Sequence, residues 1–124
     1  MRGIRGIIIA ALGVVAACSG STNPYGGGSG GGQPGPNQVF MQNQAFNPAT
    51  RTVSAGTTVQ WVNQDGFAHT VIYSSGPGSA FNSGNINGGG TFTVTFNTAG
   101  TVQYYCQIHG SPGAGMHGTI VVTP

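Results

Sequence analysis

The fold of this chain is decided by a stretch near its C-terminus that reads YYCQIHGSPGAGMHGTI, residues 104–120. It places three metal-binding side chains in one short loop between two apolar runs. These side chains are the Cys106 thiol, the His109 imidazole and the Met116 thioether. The apolar runs predict a strand over residues 102–106 that enters the loop and another over residues 119–123 that leaves it. Such a hairpin can direct all three side chains toward a single point.

A fourth candidate ligand lies far upstream at His69, where the strand-like run of residues 69–73 begins. Two histidines and one cysteine in a trigonal arrangement, with a weak axial methionine, are the ligand set of a blue-copper electron-transfer site. A lone buried cysteine is more often a small hydrophobic core residue, so the prediction depends on the combination. It assigns His69, Cys106 and His109 as equatorial ligands and Met116 as the axial one.

Several segments resemble the small cupredoxins of the plastocyanin/azurin type. They read NQDGFAHTV at 63–71, YCQIH at 105–109 and GAGMHG at 113–118. The resemblance extends from about Val39 to Val122, and it implies a rigid β-sandwich that binds one type 1 copper ion and carries single electrons. One feature differs: six residues separate His109 from Met116, where plastocyanin-like loops commonly have four.

Short apolar alternations separated by turn residues begin at Gln38 and are typical of a β-sandwich. Strands are predicted over residues 39–42, 51–54, 57–63, 69–73, 80–82, 91–96, 102–106 and 119–123. Trp61 is expected to be a packing residue of the core. No segment has helical periodicity. The predicted fold is therefore all-β, a cupredoxin-like Greek-key β-sandwich of seven to eight strands, spanning residues 38–124.

The first residues have the pattern of a secretory signal peptide, with arginines followed by an apolar run too short to cross a bilayer. We predict that the signal peptide covers residues 1–17. Its end, VAAC at residues 15–18, resembles a bacterial lipobox, so Cys18 is expected to carry a lipid. The alternative is an ordinary signal peptide, with Cys18 a bystander. Residues 18–37 are rich in Gly, Ser, Pro and Asn, which predicts a disordered tether.

Charge is scarce in this sequence, which has three Lys+Arg and one Asp+Glu for a formal net charge of +2. Removal of residues 1–17 takes away Arg2 and Arg5 and leaves Arg51 against Asp65, so the net charge falls from +2 to zero. Nucleic-acid binding needs clustered cations and is not expected. We expect an exported, lipid-anchored monomer that faces the periplasm or the cell surface and meets redox partner proteins.

Residues around the ligands are expected to tune and expose the site. Backbone N–H groups of Thr70 and Ile108 are predicted to donate hydrogen bonds to the Cys106 sulfur. These bonds are expected to raise the reduction potential of the bound copper. An uncharged surface around His109 is predicted to dock partners. That surface comprises Phe67, Gly110, Pro112 and Ala114. Strand alternation should turn His117 away from the side that Met116 faces.

Other functions remain open at the level of sequence. The same domain could store or deliver copper in the periplasm, which the ligand set alone does not distinguish from electron transfer. An enzyme such as a nitrite reductase or multicopper oxidase is not expected, because the chain has no His-x-His pair and no second domain of this kind. Zinc also accepts two histidines and a cysteine, but the methionine favours copper.

Overall fold

The part of the chain that the computed structural model describes, residues 32–124, consists of eight β-strands and contains no helix. The strands are β1 (Gln38–Gln42), β2 (Ala45–Asn47), β3 (Thr50–Ser54), β4 (Thr57–Asn63), β5 (Ile72–Ser75), β6 (Thr91–Phe96), β7 (Gly100–Ser111) and β8 (Ala114–Thr123). No helix capable of crossing a membrane occurs in this range. The predicted signal peptide, residues 1–17, and Cys18 lie outside the described residues.

The strands form two four-stranded sheets with the orders β2-β1-β4-β6 and β3-β8-β7-β5. Strand β1 pairs in parallel with β4, and β3 pairs in parallel with β8, while the other neighbours are antiparallel. The prediction of an all-β sandwich with seven to eight strands is confirmed. Each parallel pair joins segments that are distant in sequence, so both sheets depend on contacts between residues far apart in the chain.

The core lies between the sheets and is centred on Trp61, which is fully buried. Its ring meets the Tyr104 ring edge-on at a centroid distance of 5.2 Å and lies 6.1 Å from the Phe92 ring. Strand β4 buries every second side chain and exposes or half-buries the rest, as the alternation in its sequence predicts. Trp61 is thus a packing residue, as predicted.

The C-terminal hairpin is longer than the sequence predicts. Strands β7 and β8 continue into the segment expected to be a loop, so that only residues 112–113 separate them. Gly113 has φ 74°, a left-handed conformation that glycine adopts without steric cost. Pairing is interrupted between Tyr105 and Gly110. The predicted strand ends were therefore wrong because backbone pairing resumes beyond this irregularity.

Strand β5 begins at Ile72 rather than at His69. The preceding N–H groups have other acceptors: His69 N–H donates to the Ile86 carbonyl, Thr70 N–H to the Cys106 sulfur and Val71 N–H to the Ser83 hydroxyl. Because these donors are already used, the segment cannot join the ladder of β7. The strand predicted over residues 80–82 is reduced to an isolated bridge between Asn82 and Ile72.

The end of the predicted tether packs on the domain. Residues Pro34–Pro124 form one compact unit, and the Arg51 guanidinium donates to the carbonyl oxygens of Gly35 and Gln38. These bonds fix the chain just before β1, which the Gly-rich composition did not predict. The short strand β2 was also missed, because Asn47-Pro48 indicated only a turn.

Gly118 is expected to be intolerant of a side chain. It lies directly opposite Tyr104 in the β7–β8 ladder, and a Cβ atom at this position would lie 2.5 Å from the buried Tyr104 ring. Gly118→Ala should lower the free energy of unfolding of the apoprotein by about 1–3 kcal/mol, the usual cost of overpacking. Urea unfolding measures this. Gly66→Ala is the matched control, since a Cβ there meets no atom within 4 Å; equal stability of the two variants would contradict the prediction.

Candidate metal centre

Three predicted ligands, His69, Cys106 and His109, meet at one end of the sandwich. The Nδ1 atoms of the two histidines are 3.1 Å apart. The Cys106 Sγ atom lies 3.8 Å from Nδ1 of His69 and 3.7 Å from Nδ1 of His109. His69 and Cys106 are fully buried, whereas His109 is half-buried. Side chains from positions nearly 40 residues apart are thus brought together, as the sequence predicts.

The spacing of these donor atoms fits a single metal ion. Bonds of about 2.0 Å to nitrogen and about 2.3 Å to sulfur, in a trigonal arrangement, place nitrogen and sulfur about 3.7 Å apart and the two nitrogens about 3.5 Å apart. Both nitrogen–sulfur distances agree with this expectation, and the nitrogen–nitrogen distance is somewhat shorter. One thiolate and two imidazoles suit a transition metal rather than magnesium or calcium, which prefer oxygen ligands.

An irregularity in the β7–β8 ladder creates the space for these ligands. The paired positions Tyr105↔His117 and Gly110↔Gly115 are separated by five residue steps on β7 (110 − 105) but by only two on β8 (117 − 115). Strand β7 therefore carries three extra residues and bulges away from its partner. Bulges re-aim side chains and are common at functional sites. Cys106 and His109 both lie on the bulge.

Close backbone contact at the base of this bulge requires glycine. Gly110 and Gly115 are directly opposite each other. A Cβ on Gly115 would lie 2.8 Å from the His109 carbonyl oxygen, and one on Gly110 would lie 2.7 Å from the Ala114 carbonyl oxygen. Gly115 also has φ 62°. These two glycines allow the hairpin to close immediately beyond the ligands.

Thr70 contacts the chain on both sides of Cys106. Its N–H donates to Cys106 Sγ at 3.3 Å, and its hydroxyl accepts a hydrogen bond from Gln107 N–H at 2.9 Å. The predicted hydrogen bond from Thr70 to the sulfur is therefore present. Among the described residues, no such bond is recorded from Ile108, whose side chain is 46% exposed. The predicted role of Ile108 in tuning the sulfur stays a prediction.

The ring of His69 is oriented by Asp65. Its Nε2 atom lies 2.7 Å from Asp65 Oδ2, and its backbone exchanges two hydrogen bonds with Ile86. A carboxylate accepts a proton donor, so Nε2 carries the proton and Nδ1 presents its lone pair to the other ligands. Sequence reasoning did not assign Asp65 to the site. The available signal was a single acidic residue four positions before a candidate ligand.

Asp65 is held as an ionised group. Burial by itself would raise the pKa of Asp65, but hydrogen bonds from His69 and from the N–H groups of Asn43 and Gln44 outweigh that effect, and the pKa lies below its usual value. The two N–H groups are 2.8 and 3.1 Å from the carboxylate oxygens. The loop before His69 is fixed as well, because Asn63 Nδ2 donates to the carbonyls of Phe67 and Ile86 at 2.8 Å.

Met116 and His117 have opposite environments. Met116 is 2% exposed and belongs to the same buried cluster as Cys106. His117 is exposed, and its Nδ1 atom lies 3.0 Å from the Gly115 carbonyl oxygen. The alternation predicted for these two positions is thus present, and the axial role of Met116 stays a prediction.

An apolar surface borders the half-buried His109. Phe67 is 46% exposed, and its ring meets the rings of His69 and His109 at centroid distances of 5.2 and 5.5 Å. Pro112 and Ala114 are exposed, as predicted for a docking surface, and Gly110 is half-buried. The exposed side chain of Ile108 was not assigned to this surface by sequence reasoning.

Comparison with known proteins identifies the family. Residues 37–123 match the copper binding proteins of the plastocyanin/azurin family. The chain belongs to this family. It is 40% identical over 85 residues to plastocyanin of Scenedesmus fuscus, a match that covers 62% of this chain and 85% of that protein. It is 38% identical over 80 residues to halocyanin of Natronomonas pharaonis, covering 63% of this chain and 48% of the relative.

Solved structures agree with this family assignment. The Cu(I) form of an amicyanin mutant superposes with a TM-score of 0.60 at 28% identity, over 68% of this chain and 79% of amicyanin. A copper-containing nitrite reductase from Thermus scotoductus superposes with a TM-score of 0.64 at 28% identity, over 74% of this chain but only 23% of the reductase. This plastocyanin/azurin-family domain thus corresponds to most of amicyanin and to a minor part of the enzyme.

The Thr70 hydroxyl is expected to stabilise the segment around Cys106. Thr70→Val keeps the shape of the side chain but removes the acceptor for Gln107 N–H, which should lower the free energy of unfolding of the apoprotein by about 1–3 kcal/mol. Thr70→Ser is the matched control, because it keeps the hydroxyl. Chemical denaturation of both variants tests this. A valine variant as stable as the serine variant would show that this hydrogen bond does not stabilise the folded protein.

Proposed function

We propose that the protein is a type 1 copper electron carrier that passes single electrons between redox partner proteins at the cell envelope. The observation that carries the proposal is the convergence of His69, Cys106 and His109, whose donor atoms lie 3.1–3.8 Å apart. Copper supplies a one-electron couple when bound, and the mixed sulfur and nitrogen donors suit both of its oxidation states. Met116 is proposed as the axial ligand, because it is buried in the same cluster as Cys106.

Rigidity of the ligands supports this function. Cys106 and His109 lie on a strand that is paired before and after them, and His69 is fixed through its backbone to Ile86 and through its ring to Asp65. Electron transfer is fast when the ligands move little between oxidation states. Hydrogen bonds of the chain hold the donor atoms in place.

The half-buried His109 is proposed as the point at which electrons enter and leave. The other two equatorial ligands are fully buried, whereas His109 lies beside the exposed Phe67. Brief contact with a partner through an uncharged apolar surface suits repeated association and release. Phe67, Gly110, Pro112 and Ala114 are proposed to form this surface.

A carrier rather than an enzyme is proposed. The domain matches plastocyanins over 83 to 86 residues, and it corresponds to only 23% of the nitrite reductase chain. We further propose that it is exported and anchored by a lipid on Cys18, as a monomer facing the periplasm or cell surface. The VAAC sequence at residues 15–18 and the Gly-rich segment after it support this location.

Substitution of the ligands tests the proposal. The copper-loaded protein should absorb strongly at about 600 nm and undergo reversible one-electron reduction, as expected for two histidines, a cysteine and a weak axial methionine. Cys106→Ser should abolish the absorption, since the thiolate is its source, while Met116→Leu should keep it and change the potential. His117→Ala is the control and should leave both unchanged.

The outcomes distinguish the alternatives. A colourless copper-loaded protein, or a Cys106→Ser variant that stays blue, would overturn the proposed site. Rapid loss of copper to a chelator, without reversible redox chemistry, would favour copper storage or delivery.

Electron transfer should depend little on ionic strength. Between residues 32 and 124 the only Lys, Arg, Asp or Glu side chains are Arg51 and Asp65, and Asp65 is turned inward to His69. Long-range steering requires a charged surface. Stopped-flow rates with a small charged redox reagent and with a protein partner should change less than about threefold between 0.01 and 0.5 M salt. A steep dependence with both reagents would contradict the proposed docking surface.

A further inference from the structure

We propose that Asp65 is a positioning residue of the copper site, which directs Nδ1 of His69 at the metal and whose negative charge favours Cu(II) over Cu(I). The inference rests on the proposed function. It adds a residue outside the ligand set that determines the reduction potential.

The geometry separates Asp65 from an ordinary surface carboxylate. Its Oδ2 atom lies 2.7 Å from Nε2 of the fully buried His69, and its own side chain is 11% exposed. The imidazole ring of His69 therefore has the carboxylate on one side and the Cys106 sulfur and His109 on the other. Carboxylates in this position fix the tautomer of a ligating histidine and increase its basicity.

A role confined to the β1–β2 turn does not account for this arrangement. The carboxylate also accepts the N–H groups of Asn43 and Gln44, two residues at φ 56° and 57°. Those two hydrogen bonds are exposed, so water can replace the acceptor there. Water has no such access to the ring of His69, which is 0% exposed. Loss of the carboxylate would leave Nε2–H of His69 without its partner.

The charge of Asp65 is not cancelled by a second group. Arg51, the one Lys or Arg side chain among residues 32–124, donates to the carbonyl oxygens of Gly35 and Gln38 instead. Within the described residues, the side-chain partner of Asp65 is the Nε2–H group of His69, which donates a hydrogen bond to the carboxylate. The carboxylate is partly buried, with 11% of its side chain exposed, so solvent screens its charge less than that of a fully exposed group.

The effect on the redox couple follows from charge. With copper held by His69, Cys106 and His109, reduction would add one electron supplied by the donor protein. A fixed negative charge attracts the doubly charged ion more than the singly charged one. Asp65 should therefore increase the affinity for Cu(II) more than that for Cu(I), which lowers the reduction potential.

The experiment replaces Asp65 in the full-length, copper-loaded protein. Asp65→Asn keeps an acceptor for Nε2–H of His69 and removes the charge, so the protein should stay blue while its potential rises. Each tenfold loss of Cu(II) affinity relative to Cu(I) corresponds to about 59 mV. Asp65→Ala also removes the acceptor, and it should weaken Cu(II) binding by about 10–100-fold.

Thr58→Lys is the matched control. It changes the net charge by the same +1 as Asp65→Asn, and Thr58 is exposed on β4 five residues before Asn63, about 17 Å along an extended strand. At 0.1 M salt a surface charge at that distance is screened, so the potential should stay at the wild-type value. An Asp65→Asn protein whose potential equals that of Thr58→Lys would overturn the charge effect.

A measurement on the unaltered protein covers the case in which a variant does not fold. In the diamagnetic Cu(I) form, NMR should detect a His69 Nε2–H proton that is shifted downfield and protected from exchange with water. Rapid exchange of this proton would overturn the positioning role. A wild-type protein without reversible redox chemistry would overturn the proposed function itself, whereas an unshifted potential in Asp65→Asn overturns only the role of Asp65.

Discussion

The structure depends on one constraint, which is that three donor atoms must be held within 3.8 Å of one another in a site that is largely closed to water. Lone pairs on sulfur and nitrogen do not attract each other, so the polypeptide has to hold them together. It does so with hydrogen bonds that come from outside the ligands: Thr70 N–H to the Cys106 sulfur and the Asp65 carboxylate to the His69 ring. The remaining fold can be understood as the support for these two contacts.

The support comes from two sheets with different tasks. The sheet that contains β7 supplies Cys106 and His109, and its bulge of three extra residues turns both toward the same point. In the other sheet, strand β4 ends at Asn63, and the side chain of Asn63 fixes the loop that leads to His69. The aromatic cluster around Trp61 packs between the two sheets. This packing fixes the position of one sheet relative to the other. Displacement of one sheet relative to the other would separate the histidines.

The sequence predicted the ligands better than it predicted the backbone around them. His69, Cys106 and His109 could be recognised because their chemistry limits the possible roles of such a combination. The strand over residues 57–63 could be predicted from alternation alone. The ends of β7 and β8 could not, because a bulge leaves no mark in the alternation of either strand and is seen only when the partner strand is known. His69 was placed at the start of a strand, but competition from the Cys106 sulfur and Ser83 for the neighbouring N–H groups excludes it from the ladder.

Asp65 illustrates a more general limit. Its role depends on the direction of one imidazole ring and on the closeness of the β1–β2 turn, which are both properties of the folded chain. From sequence it reads as a turn residue before a glycine. In a domain with one other charged side chain besides histidines, however, a partly buried carboxylate has few possible charged partners. Because charged side chains are scarce, the position of the one remaining acidic group indicates its role. In this protein it lies against a predicted copper ligand.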